Sequence, residues 1–212
     1  MRIPFLNPKT VPTIEVMCVA YKRYGPLKVL VQCFLNQTAS NWRLNVIHDG
    51  ADLRFEEVMA GFAAEASDKV RYHCTEQRYN DYGHSLRGMG IATASGDYLV
   101  LTNDDNYYVP KFIEIVTEQI QRSDPDVVYF DMIHSHNKPG GRQQTPYCLF
   151  KTEYKRQNID MGAAVVRTEL ARIAGFRDKS HDGDATYFEE VEKAKSGKLK
   201  LAKIDRVLLV HN

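Results

Sequence analysis

The sequence has no Gly-x-x-x-x-Gly-Lys-Ser/Thr segment and so no P-loop to cradle phosphates. Gly88 and Gly90 fall inside a helical pattern, the wrong context for a dinucleotide fingerprint. Neither His-Glu-x-x-His nor Gly-x-Ser-x-Gly occurs. These absences weigh against an NTPase, a Rossmann dehydrogenase, a zinc protease and an α/β-hydrolase. No apolar run approaches the roughly 20 residues of a membrane-spanning helix, and Met1-Arg2-Ile3-Pro4 opens no signal-peptide core. Charge of one sign is not in excess: the formal net charge is +1, so no global field draws nucleic acid or an anionic membrane. Cysteine is sparse. Cys18, Cys33, Cys74 and Cys148 are widely spaced, form no Cys-x-x-Cys pair and read as buried small hydrophobes of a reducing compartment. A soluble, cytoplasmic protein is expected.

What is present suits one globular domain: 212 residues, 43% hydrophobic and 26% charged. Ile14–Ala20 reads as a buried strand, and Gly25-Pro26 opens a helix with Leu27, Leu30, Val31, Phe34 and Leu35 at helical spacing. Strands are then predicted at 44–47, 69–74, 98–101 and 126–130. Helices are predicted around Phe55–Ala66, Ser85–Ala94 and Phe112–Ile120. Strands alternating with helices predict an α/β fold, a mostly parallel sheet with helices on both faces. After Phe130 the pattern loosens. Residues 134–142 are a loop by composition, 162–167 a strand, 185–195 a helix, and 199–204 and 207–210 two strands. No second domain is visible, so 131–212 is expected to complete a site begun by 13–130.

In a parallel sheet, ligands sit outside the carboxyl ends of the strands. Ala20-Tyr21-Lys22, His48-Asp49-Gly50 and Asn103-Asp104-Asp105-Asn106 all fall at such ends. The last cluster repels itself unless a positive group sits within it, and a hard divalent cation is the simplest candidate. On an extended strand end, residues 103 and 105 share a face and Asp104 points away. The competing reading is a solvated Asx-rich turn that caps the next helix.

Several segments together carry a resemblance: Val16–Tyr21, Phe34-Leu35-Asn36-Gln37-Thr38 with Asn41-Trp42-Arg43-Leu44, and His48-Asp49-Gly50-Ala51. Arg87-x-x-Gly90-Ile91-x-x-Ala94-x-Gly96-Asp97-Tyr98, the acidic tetrad, and Gly175-Phe176 with Asp178 complete the set. In order and spacing they resemble the GT-A (Rossmann-like) glycosyltransferases, most closely family 2 of the nucleotide-sugar-dependent enzymes. The likeness covers about residues 13 to 130 well and the rest loosely. It implies a single GT-A domain over 1–212 that transfers sugar from a UDP-sugar, with inversion and with Mn²⁺ (or Mg²⁺), to a glycan, lipid or small-molecule acceptor.

The resemblance also implies roles. Asp105 takes the last Asp-x-Asp position, as metal ligand. Asn103 stands where the family has a carboxylate and, with Asp104, falls near the ribose; Asp104 faces ribose or solvent. Asp49 would accept from the uracil ring, with His48 an unexplained departure beside it. Ala20 and Tyr21 flank the base. Arg87, and Lys22 or Arg23, are candidates for the diphosphate. His211, ending a strand-like run, is a second metal candidate if the tail folds back. Asp182 and Asp184 are alternative general bases, and either would serve instead as an N-cap, Asp184 especially. Asp160 is an acceptor-side candidate. His134 and His136 read as exposed loop residues, and the loop 134–142 as a lid. A non-catalytic nucleotide-sugar-binding module is the rival, kept alive by Asn103. A nucleotidyltransferase is disfavoured because Val19–Gly25 has no Gly-rich basic turn.

Overall fold

The structure, a computed structural model, describes residues 10–134 and 147–212. Strand β1 (Ile14–Ala20) is buried along its whole length and lies between parallel neighbours β2 (Trp42–His48) and β4 (Tyr98–Asn103). Its side chains alternate between two cores. Val16 and Cys18 pack with Leu30, Phe34 and Phe55 on one face; Met17 and Val19 pack with Leu86, Ile91 and Phe176 on the other. This two-sided burial explains the unbroken apolar run. The one acid in it, Glu15, accepts the N–H groups of Ser95 (2.6 Å) and Gly96 (2.9 Å) at the turn before β4.

Helix α1 (Tyr24–Leu35) buries Leu27, Leu30, Val31, Cys33 and Phe34. Pro26 sits in its first turn, where a missing N–H costs nothing. Helix α2 (Leu53–Glu65) is capped by Asp52, which accepts the Phe55 N–H at 2.8 Å. Strand β3 (Val70–Cys74) extends the parallel half beyond β2. Helix α3 (His84–Thr93) begins after Gly83 in the left-handed region, φ +80°. Strand β5 (Tyr107–Tyr108), α4 (Phe112–Ser123) and β6 (Val127–His134) follow. The remainder comprises β7 (Cys148–Phe150), β8 (Ala164–Arg167), α5 (Thr168–Ala174), α6 (Gly183–Ala194) and β9 (Leu201–His211).

The strand order is β3-β2-β1-β4-β8-β6-β9-β5, with β7 beside β6. The sheet is mixed: β3-β2-β1-β4 is parallel, β8 is antiparallel to both β4 and β6, and β6-β9 is parallel again. Strand β5 follows β4 directly in sequence yet pairs with β9 at the far edge (Tyr107 with Val210). The sheet must therefore curl, and the turn between β4 and β5 is the acidic tetrad. Curling thus delivers the C-terminal strand to the acidic turn.

Several boundaries differ from the sequence reading. The predicted strands 199–204 and 207–210 are one strand. Its register against β6 slips between Phe130 and Met132, so exposed Asp205 and Arg206 are extra residues there. Strand β6 runs on to His134, which is buried rather than exposed. Strand β7 was not anticipated. Cys148 on it is exposed, whereas Cys18 and Cys33 are buried as expected. The expected lid 134–142, including His136, lies outside the described residues apart from His134. No helix among the described residues is long and apolar enough to cross a membrane.

Candidate active site

A cleft of about 750 Å³ opens at the carboxyl ends of β1, β2 and β4. Of the residues singled out from sequence, Ala20, Tyr21, Arg23, Asp49, Arg87, Asn103 and Asp184 line it. Asp104, Asp105, Asp160, Asp182 and His211 are not among its lining residues.

The acidic tetrad is a turn rather than an extended strand end: β4 stops at Asn103, and the Asn106 N–H reaches the Asn103 carbonyl at 3.4 Å. Alternation of faces therefore fails after Asn103. Asp104 does not face solvent. It is fully buried, accepts the Tyr21 N–H at 3.1 Å and lies 2.5 Å from Arg23 Nη2. The other guanidinium nitrogen of Arg23 bonds Asp105 Oδ2. The positive group that the tetrad demanded is thus Arg23, in the loop before α1. Burial pushes the Asp104 carboxyl up to about 6, with Arg23 and the Tyr21 N–H pulling the other way. Asp105 Oδ1 is buried with no hydrogen-bond partner among the described residues.

Asn103 points into the cleft and accepts from Arg87 Nη2 at 2.6 Å. Arg87 is buried on α3. It also donates to the Tyr82 carbonyl at 2.7 Å and meets His84 Nδ1 at 3.1 Å, and its Nε has no hydrogen-bond partner among the described residues. Burial draws its pKa down, opposed chiefly by the charge of Asp184 and then of Asp160.

Asp49 accepts the N–H groups of Tyr79 (2.7 Å) and Asn80 (2.9 Å), so both oxygens already anchor the loop between β3 and α3. His48, unexplained in sequence, ties two loops together. Its Nδ1 lies 2.8 Å from the Gly50 carbonyl and its Nε2 accepts the Lys22 N–H at 3.2 Å, which assigns the proton to Nδ1. That bond steadies Lys22 in a left-handed conformation, φ +56°. The Tyr21 ring stacks on His48 (5.7 Å) and carries the Arg78 guanidinium 4.0 Å from its centre. Arg78 was missed from sequence, as were Asn80, Tyr82, His84 and His181, which also line the cleft. The signal available was positional: the polar, aromatic stretch 78–84 joins β3 to α3 at the same sheet edge.

The two base candidates separate clearly. Asp182 occupies the N-cap position of α6, with no capping bond from its side chain; that side chain is 69% exposed and pairs with Arg156 at 3.4 Å. Asp184, expected as the cap, lies instead in the first turn and half-buried in the cleft. Burial pushes its carboxyl up to about 6, opposed first by Arg87; the charge of Asp160 pushes the same way as burial. Asp160 caps a short 3₁₀ turn by accepting the Gly162 N–H at 2.8 Å, and its other oxygen lies 3.5 Å from His211 Nε2. The His211 ring stacks on His134 at 4.6 Å. The tail does fold back: the Asn212 side chain donates to the Asp105 carbonyl at 2.6 Å.

A curled α/β sheet with this strand-end cleft is a GT-A, Rossmann-like domain. The chain belongs to glycosyl transferase family 2, whose profile matches residues 15–182. It is similar to the glycosyltransferase GlyG of Streptococcus pneumoniae (27% identity over 54% of this chain and 38% of that protein). It is also similar to the uncharacterized glycosyltransferase YwdF of Bacillus subtilis (25% identity, 63% of this chain and 50% of that one). The chain therefore spans half or less of these curated relatives. Among solved structures, it superposes on Staphylococcus aureus TarS 1–349 in complex with UDP-GlcNAc with a TM-score of 0.74, at 14% identity over 94% of this chain and 58% of that one. For the mannosyltransferase PcManGT of Pyrobaculum calidifontis, in complex with GDP-Man and Mn²⁺, the TM-score is 0.71, at 11% identity over 97% of this chain and 58% of that one.

Proposed function

We propose that this chain transfers a sugar from a UDP-sugar to an acceptor hydroxyl, with Asp184 as general base and inversion at the anomeric carbon. The observation that carries this is Asp184 itself, a half-buried carboxylate in the same cleft as Asp49, Arg87 and Asn103, with a pKa of about 6. A base poised near that value is ionised at neutral pH and still basic enough to take a hydroxyl proton. The family membership and the UDP-GlcNAc complex of TarS support a nucleotide-sugar donor.

The acceptor O–H proton passes to Asp184 as the acceptor oxygen bonds the anomeric carbon. The bond from that carbon to the diphosphate breaks, and its electron pair leaves with the diphosphate. Arg87, turned into the cleft, stabilises that growing charge. Asn103 orients Arg87 and meets the ribose, while Tyr21, Ala20 and the loop that Asp49 holds flank the base. Asp160 lies behind Asp184, where its charge raises the base.

The acidic turn fits Mn²⁺ or Mg²⁺. Asp105 Oδ1 is a buried oxygen without a hydrogen-bond partner among the described residues, and β9 sets His211 beside the same turn. No three His, Cys, Asp or Glu side chains converge among the described residues, so Asp105 would hold the ion together with diphosphate oxygens, as is usual for Mg²⁺. When bound, such an ion supplies positive charge beside the leaving diphosphate.

The test is calorimetric titration with UDP, with and without Mn²⁺, and UDP release from several UDP-sugars. Asp184→Asn is expected to leave UDP affinity unchanged and slow transfer by ~10²–10⁴-fold. No UDP affinity at millimolar concentration would sink the proposal. Undiminished transfer in Asp184→Asn would reassign the base.

A further inference from the structure

Between β3 and α3 the chain takes an unusual path. Asn80 (φ +53°), Tyr82 (φ +60°) and Gly83 (φ +80°) all lie in the left-handed region. Glycine adopts it freely; a tyrosine does so at a cost that its surroundings must meet. They do so through the backbone. Asp49 takes the Tyr79 and Asn80 N–H groups, Asp81 accepts the Ser85 N–H at 3.0 Å and its hydroxyl at 2.6 Å, and Arg87 donates to the Tyr82 carbonyl. The Tyr82 ring gains little in return, because the residue is 69% exposed. The strain therefore does not serve the core. Its result is an aromatic ring held at the mouth of the cleft.

Two rings neighbour it: His84 at 5.8 Å, tilted by 43°, and His181 at 6.1 Å, edge-on at 87°. Tyr82 and His181 line the same cleft as Asp184, which follows His181 by three residues. Their edge-on contact leaves no gap between the rings, so an acceptor whose hydroxyl reaches Asp184 would lie alongside the pair. The cleft walls carry charged and amide groups, Arg23, Asp49, Arg78 and Asn80, beside the smaller apolar surfaces of Val19, Ala20 and Leu86. A pyranose presents an apolar C–H face to an aromatic ring and hydroxyls to polar groups, which matches this mouth. We propose that Tyr82, with His181 beside it, is the acceptor subsite and that it takes a saccharide. The pyranose lies on the Tyr82 face with its reacting hydroxyl toward Asp184. This rests on Asp184 being the base.

The test is saturation-transfer NMR on the full chain with UDP present. The probes are the methyl pyranosides of glucose, galactose, mannose and N-acetylglucosamine. Wild type and Tyr82→Phe are expected to saturate the ring C–H protons of at least one glycoside, and Tyr82→Ala to bind it roughly tenfold more weakly. UDP affinity, measured separately by calorimetry, should be the same in all variants. Tyr82→Gly, which suits the left-handed backbone, should keep or raise the melting temperature while losing saccharide contact. Equal saturation in Tyr82→Ala, or none with any glycoside in wild type that still binds UDP, would overturn the subsite alone. A tenfold loss of UDP affinity in Tyr82→Ala would move Tyr82 to the donor side. Wild type that binds no UDP would strike down the function and the subsite together.

Discussion

At the scale of single residues, charge compensation governs this cleft. Asp104 is the most buried acid of the tetrad, and its partner is a half-exposed arginine from another element. Its folded pKa of about 6 exceeds the ordinary carboxyl value of 3.8. A carboxyl raised in this way favours the fold fully below the unfolded value, and that contribution is lost as pH climbs from about 4 through about 6. Removing Arg23 raises the folded value further, so the cost is felt at pH 7 and fades once Asp104 is protonated. Arg23→Ala is expected to destabilise by about 1–3 kcal/mol at pH 7 and by much less at pH 4, in paired urea melts. The loss sits low in the range for broken buried pairs because solvent screens the half-exposed guanidinium. A loss independent of pH would mean that Arg23 acts by packing. For Asp184 the same sign of shift has a kinetic reading: transfer should rise with pH through about 6 as the base loses its proton.

At the scale of elements, helix α3 carries Arg87 into the cleft, and its seating depends on one glycine. A Cβ at Gly90 would stand 2.2 Å from Met17 Cγ on β1 and within 2.6 Å of its Cε. Helix and strand touch there with no room for a methyl group. Gly90→Ala removes a helix-weakening glycine, worth up to about 1 kcal/mol in its favour, but forces Met17 out of its place. We expect a net loss of about 1–3 kcal/mol in chemical denaturation, with UDP affinity falling because Arg87 moves with the helix. A stabilised variant would show that Met17 repacks freely. The helical periodicity of α1 and α2 and the apolar run of β1 were readable directly, since burial on one or both faces imprints those patterns. Tertiary pairing decided the far half. Strand β9 looked like two pieces because Asp205-Arg206 interrupts it, and only its register against β6 reveals a bulge in a single strand.

At the scale of the whole molecule, the curl of the sheet brings the C-terminal edge to the acidic turn. One link in that closure is the Asn212 side chain on the Asp105 carbonyl, at 2.6 Å. Asn212→Ala should cost about 1 kcal/mol and speed amide exchange at Tyr107 and Tyr108, which pair with β9, ahead of amides in β1. Unchanged exchange would show that the pairing of β5 with β9 holds without the tail.

The sequence by itself determined the strand-helix alternation, the three polar strand ends and hence the edge where a site must lie. Those features follow from local rules of periodicity and from the geometry of parallel sheets. It also pointed to Arg87, Asp49 and the acidic tetrad as groups near one another. Only the tertiary structure decided what each group faces. Asp184 rather than Asp182 lines the cleft, because α6 begins at Gly183, two residues earlier than a cap at Asp184 implies. Arg23 rather than solvent meets Asp104, and Tyr82 reaches the mouth because three left-handed residues turn the chain. Long-range partners and backbone turns of this kind leave no periodic trace, so which residues line the cleft became visible only once distant segments were packed together.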